Sequence, residues 1–291
     1  MQIQPSDKPR LWIFGDSWSA LDPKNINNRT WMCQVSTRIS EHLGVDIELI
    51  NSSLVGSSQD WLLNAYLKVA DHIAPNDYVV LVLTSPERYW YFEDLPSFSN
   101  INILDAEKQV SRDRISAVEG FVKHIQRPHL DLLQGTSRLA LIAYTTRLRG
   151  LRRPLVVPGF DQILVHLTDW PDLNVCNGYL STIQYEEYRQ LNQVAKLVAE
   201  RDVSYFNGYD CRYNHLCLTN HDILADKISQ ALITDTVVDL TTGFDQDLID
   251  KEWYDDVEFC NSQLNVTSVE KFNSYYKTLS PGMSWRRKMR L

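Results

Sequence analysis

Apolar and polar positions follow two periods over the first 85 residues. Leu11-Trp12-Ile13-Phe14 is a short continuous apolar run that breaks at Gly15-Asp16-Ser17. That is the pattern of a strand buried on both faces and ending in a turn. From residue 30 to 43 the period lengthens: Trp31, Val35, Ile39 and Leu43 recur at helical spacing, and Gly44 follows as a good left-handed stop. Residues 47–50 predict a second strand, 51–58 a polar loop, 60–73 a second helix and 78–83 a third strand. Strand, helix, strand, helix, strand in this order predicts right-handed crossovers and a parallel sheet covered on both faces.

The rhythm then becomes irregular. Residues 86–106 are too long for a tight connection and hold Tyr89-Trp90-Tyr91-Phe92, either a lid over a bound group or, more commonly, packing of an insertion onto the body. A helix over 105–133, a fourth strand over 138–144 and a second irregular stretch over 145–181 follow. A helix over 184–201, a strand over 203–206 and a helix over 221–233 complete an α/β domain at about residue 235. Residues 236–291 read as an extension rich in aromatic residues, acidic first and basic last, that packs on the domain or on a neighbour. The expected fold is a three-layer α/β/α sandwich around a parallel sheet.

Composition narrows the function. A chain of 291 residues can bury a core without disulfide or metal staples. Its net charge of −8 disfavours general binding to nucleic acid or to anionic membrane, and no apolar run approaches membrane-spanning length. Five dispersed cysteines make no disulfide framework. With a polar amino terminus that does not read as a signal peptide, they point to a reducing cytoplasm or a virion. Arg147, Arg149, Arg152 and Arg153 form either a solvated face or a basic patch suited to an acidic partner.

Two segments carry candidate chemistry. In an open α/β sheet, ligands bind outside the carboxyl ends of the strands. Ser17 stands there after the first strand, and a serine on such a turn is a nucleophile if a histidine reaches it; otherwise it caps the next helix. The run Asp210-Cys-Arg-Tyr-Asn-His215-Leu-Cys-Leu-Thr-Asn-His221 follows the last strand and opens the last helix. His215, in the loop, is the better base. His221, at the positive end of a helix dipole, is a capping or packing residue. Cys211, His215, Cys217 and His221 also have the ligand types of a zinc site, at a spacing that matches no common module. A single glycine at 15, followed by Asp16, excludes a phosphate-binding loop, and no cofactor is expected.

Taken together, Ile13-Phe14-Gly15-Asp16-Ser17, Asn51-Ser-Ser-Leu-Val-Gly56 and His215 with His221 and Ala225 resemble the blocks of the SGNH (GDSL-type) hydrolases over residues 10–235. The resemblance implies ester hydrolysis, with Ser17 as nucleophile, His215 as base, and the N–H groups of Ser17 and Gly56 in an oxyanion hole. Two positions depart from the pattern. The third block lacks its asparagine and reads Thr84-Ser85-Pro86-Glu87-Arg88, so Thr84 or Ser85 becomes the candidate third donor. The position three before the histidine is Arg212, leaving Asp210 as candidate acid, or else a Ser–His dyad oriented by a backbone carbonyl. Trp18 and Trp90 are the candidate substrate contacts. The substrate expected is a small ester, foremost an O-acetyl group on a glycan, with lipid esters and thioesters as wider options. Relatives of this type with altered third blocks occur in bacteriophages. That implies the competing role, a catalytically weak structural or glycan-binding part of a tail or baseplate, self-associating or joining a virion partner through its extension.

Overall fold

The computed structural model describes residues 8–20, 30–86, 88–91, 111–160, 170–183, 205–206, 209–210, 216 and 218–244. Five parallel strands form the central sheet in the order β2-β1-β3-β4-β5. They are β1 (Arg10–Phe14), β2 (Glu48–Asn51), β3 (Tyr78–Leu83), β4 (Leu155–Pro158) and β5 (Asn174–Val175). β1 and β3 are buried along their whole lengths. Both faces of these strands are covered, which is why, Arg10 apart, they are apolar at every position and not only at alternate ones.

Successive side chains divide between two cores. Leu11, Ile13, Val80, Val82, Leu155 and Val157 pack with α1 (Trp31–Leu43) and with the last helix, α6 (Leu218–Thr234). Trp12, Phe14, Val79, Leu81, Leu83 and Val156 pack with α2 (Gln59–Val69) and α4 (Pro128–Arg149). The result is the expected α/β/α sandwich. α1 ends at Gly44, which is left-handed at φ 66° and returns its N–H to the Ser40 carbonyl. Two further helices are α3 (Arg112–His124) and the single turn α5 (Leu180–Ile183).

Four expectations about elements are corrected. The helix expected over 105–133 is interrupted: α3 ends at His124 and α4 begins at Pro128, preceded by Arg127 in an extended conformation (φ −140°, ψ 133°). Proline forces that break, since the residue before it avoids helical angles. Residues 138–144 are the middle of α4, not a strand. In seven residues the apolar positions read as a continuous run, but over the whole helix Asp131, Leu139, Ile142, Ala143 and Thr146 are buried while Leu141 (42% exposed) and Tyr144 (51% exposed) face outward, a helical period. The fourth strand, β4, lies instead inside the stretch read as irregular, as does β5. Finally, of the strand expected over 203–206 the described residues Tyr205–Phe206 (β6) pair antiparallel with Tyr209–Asp210 (β7), and among the described residues this ribbon does not join the main sheet.

The expected helix over 184–201 lies outside the described residues, as does the chain beyond 244. The first residues of the expected extension belong to the core: Val238 and Leu240 are buried, and their backbone bonds to both sides of Asn177 beside β5 (Asn177 N–H to Val238 C=O and Leu240 N–H to Asn177 C=O, each 2.7 Å).

Candidate functional site

The strand order 2-1-3-4-5 reverses direction of winding between β1 and β3, and the crevice at their carboxyl ends is where such sheets bind ligands. Four segments meet there: 15–19 after β1, 52–58 after β2, 84–86 with 88–91 after β3, and 159–160 after β4.

The segment after β1 turns sharply because Gly15 has no side chain. A Cβ there would lie 2.8 Å from Val82 Cβ and 2.9 Å from the Val82 carbonyl oxygen. The turn from Asp16 to Ser19 is closed by Ser19 N–H donating to the Asp16 carbonyl (3.1 Å). The Asp16 side chain is fully buried; Oδ1 accepts from the Trp18 N–H (3.1 Å) and Oδ2 from Arg88 Nη1 (2.9 Å). Between buried Asp16 and buried Trp18, Ser17 is half-buried. Burial on either side and partial exposure at 17 bring the serine to the crevice.

The β2 side extends the ladder past the end of the strand. Ser52 N–H donates to Ile13 C=O (2.8 Å) and Leu54 N–H to Gly15 C=O (3.0 Å). Asn51 Nδ2 donates to Ser19 C=O (2.6 Å), while its Oδ1 accepts from Ser53 N–H (2.8 Å). Ser19 Oγ and Ser53 Oγ share a bond of 2.8 Å, and Ser57 Oγ donates to Gly15 C=O (3.2 Å). Within this loop a turn from Leu54 to Ser57 (3.1 Å) places Gly56 at φ 75°, a conformation that glycine adopts without steric cost. Gly56 thus sits in a loop tied at both ends to the turn bearing Ser17.

The β3 side is built differently. Thr84 and Ser85 are both buried. Gln59 Nε2 donates to Thr84 C=O (2.8 Å), and the Thr84 hydroxyl has no hydrogen-bond partner among the described residues. Arg88 N–H returns to Ser85 C=O (3.1 Å), and its guanidinium lies over the Phe160 ring at 5.4 Å. Beyond it, Tyr89 and Tyr91 pack on Phe121 of α3 (centroids 5.2 and 5.8 Å), and Tyr89 Oη donates to buried Asp131. Burial and the Asp131 charge push both phenols well above the usual tyrosine range. The aromatic cluster is therefore packing on the body. Phe92 is outside the described residues.

The candidate substrate tryptophans separate. Trp18 is in the core, edge-on to Phe160 (6.2 Å), and its carbonyl accepts from Trp31 Nε1 (3.0 Å). Trp90 is half-buried against Trp61 (5.4 Å).

His215 lies outside the described residues, and Asp210 closes β7. His221 is buried in α6, where Nδ1 accepts from Trp31 N–H (3.3 Å). Thr30 makes no side-chain cap at that helix start, so His221 supplies the acceptor for α1 from across the core, as a capping residue. Cys211 and Cys217 also lie outside the described residues, among which no three His, Cys, Asp or Glu side chains cluster. Nor does any described helix have the length and apolarity to cross a membrane.

The arginines of 147–153 are engaged locally: Arg147 with Asp172 (3.9 Å), Arg149 with Asp71 (2.6 Å), Arg153 with Asp235 (2.6 Å), and Arg152 over Tyr78 (4.6 Å). A cavity of about 300 Å³ between Tyr144, Arg147, Trp170 and Asp172 lies near the start of β5, away from the crevice.

Sequence reasoning missed Asn51, Gln59 and Arg88. Asn51 was legible as the polar residue that ends β2. Gln59 and Arg88 carry no local signal, because their roles depend on which loops the sheet order makes neighbours.

No family model and no curated protein matches the chain. Among solved structures it is similar to the Bacillus subtilis protein YxiM (12% identity, TM-score 0.38, 80% of this chain and 58% of that one), so it spans less than two thirds of that protein's length. It is also similar to TesA (14% identity, TM-score 0.38, 77% of this chain and 97% of that one). The lipase Lip_vut3 from a goat rumen metagenome gives 11% identity and a TM-score of 0.42, over 77% of this chain and 97% of that one. These are distant likenesses of chain trace; the fold rests on the strand order above, and the chemistry on the side chains of the crevice.

Proposed function

We propose that the protein is a serine-dependent carboxylic ester hydrolase with Ser17 as nucleophile and His215 as base. The observation that carries this reading is Ser17 itself: a half-buried serine on a turn fixed from both neighbouring strands, at the switch point of the sheet. His215 takes the Ser17 proton as Oγ attacks the ester carbonyl. The tetrahedral oxyanion accepts from the N–H groups of Ser17 and Gly56. Collapse breaks the bond to the leaving alcohol, which takes the proton from His215, and water then cleaves the acyl-serine by the same route. Thr84 suits the third donor position better than Ser85, since its buried hydroxyl has no other described partner. Asp210 is the proposed orienting acid.

The substrate proposed is a small ester, foremost an acetyl group on a carbohydrate. Labelling with a fluorophosphonate tests the reading. Stoichiometric labelling of the wild type that disappears in both Ser17→Ala and His215→Ala supports it. A folded wild type that does not label sinks it, and leaves the structural or glycan-binding role.

A further inference from the structure

We infer that Arg88 is a positioning residue for Ser17: through Asp16 it fixes the turn on which the nucleophile stands. The inference rests on the serine hydrolase reading. Asp16 and Trp18 are the chain neighbours of Ser17, and the bond from Trp18 N–H to Asp16 Oδ1 closes a small ring that contains the serine backbone. The orientation of the Asp16 carboxylate therefore constrains the backbone angles of Ser17. Among the described residues, the other carboxylate oxygen is held by Arg88 alone, at 2.9 Å. Arg88 is only 9% exposed, lies over the Phe160 ring of the β4 loop, and is held by its own N–H to Ser85 within the β3 loop. One guanidinium thus ties three strand ends together at the nucleophile.

Stability alone is a poor explanation for the pair. A buried ion pair replaced by apolar side chains of similar size is often neutral or stabilising, and the best-attested use of such pairs is to fix one arrangement among several. Asp16 adjoins Ser17, and the arrangement it fixes is the serine's. Lysine is a poor substitute: it lacks the planar group that lies on a ring while one of its N–H groups donates to a carboxylate.

The experiment uses the full chain, a fluorophosphonate probe and p-nitrophenyl acetate. Misplacement of a reacting group by about 1 Å costs about 10²-fold, so Arg88→Met is expected to slow labelling and kcat by about that factor, and Arg88→Lys by about tenfold, with KM held within about twofold. Asp16→Asn combined with Arg88→Met removes the stranded charge and keeps an oxygen to accept from Trp18, so labelling recovers relative to Arg88→Met alone. If Arg88→Met fails to fold, the lysine and double variants carry the test. Variants that melt earlier but label at the wild-type rate while folded would show Arg88 to be structural and overturn the inference. An unlabelled wild type overturns the hydrolase reading and this inference together, whereas a labelled wild type with unaffected variants overturns this one alone.

Discussion

The two flanks of the Ser17 turn are built on opposite principles. On the β2 flank, the loop is joined to the turn by neutral hydrogen bonds of ordinary length, most of them to backbone: Leu54 to Gly15, Asn51 to Ser19, Ser57 to Gly15, Ser19 to Ser53. Each contributes about 1 kcal/mol, and losing one leaves the others in place. On the β3 flank, a single buried ion pair and aromatic stacking do the same task. There the coupling is concentrated, and removing one partner strands a charge out of water. A site supported in this way tolerates variation on one side and not on the other.

The largest expected effect removes what both flanks support. Ser17→Ala should abolish fluorophosphonate labelling and lower ester turnover by a factor on the order of 10⁶, as loss of a catalytic serine does elsewhere. The melting temperature should hardly move, because a half-buried turn serine adds little to the core. A sharp fall in melting temperature would instead identify Ser17 as a structural cap.

Next comes the concentrated flank. Arg88→Met should cost about 3–5 kcal/mol of unfolding free energy, the usual penalty for stranding one member of a buried pair. The matching change on the distributed flank is Gly56→Ala, where a left-handed backbone at φ 75° imposes about 1–2 kcal/mol on an L-residue. Denaturant titration measures both. Equal losses for the two variants would refute the contrast between the flanks.

The contrast also explains what was legible in the sequence. β1 and β3 announce themselves as continuous apolar runs, and α1 by its period and its terminal glycine. Each signal is local, as are the turn residues Gly15, Ser17 and Gly56. The β2 flank is nearly as legible, since Asn51 ends the strand and Ser53 and Ser57 are polar residues in the loop that directly follows it. Arg88 is different. A charged residue a few positions past a strand end reads as solvated, and its burial depends on β3 lying beside β1 while β4 delivers Phe160. The same non-local dependence hid β4 itself: Leu155-Val156-Val157 is too short to declare a strand, and only pairing with Val80 to Leu83 makes it one. The misreading of 138–144 has another cause: seven residues span only about two helical turns, too few for the period to stand out from a continuous apolar run.

A smaller effect separates the flanks by pH. The Tyr89 hydroxyl donates to buried Asp131, which also accepts from Gln126 Nε2 (3.0 Å), and this network anchors the segment that carries Arg88. Donation requires a protonated phenol. Burial, then the bond to Asp131 and its charge, hold the Tyr89 pKa well above its ordinary value of 10.0, and burial with the same charge raises that of Tyr91. A group whose pKa is raised by folding contributes stability that is complete below its unfolded value and fades as pH rises beyond it. The β3 flank should therefore hold up to about pH 10 and loosen above it. No side chain in the β2 flank's bonds titrates in that range. Amide hydrogen exchange read between about pH 9 and 11, corrected for the intrinsic rise in exchange rate, should show protection falling at 88–91 and in the first turn of α4, while 52–57 keeps its own. In Tyr89→Phe the Asp131 bond is already absent, so protection near 88–91 should be lower at neutral pH and should lose much of its alkaline step. Parallel loss on both flanks in the wild type would mean that the turn is held as one unit, and that the division drawn between its two sides is not a physical one.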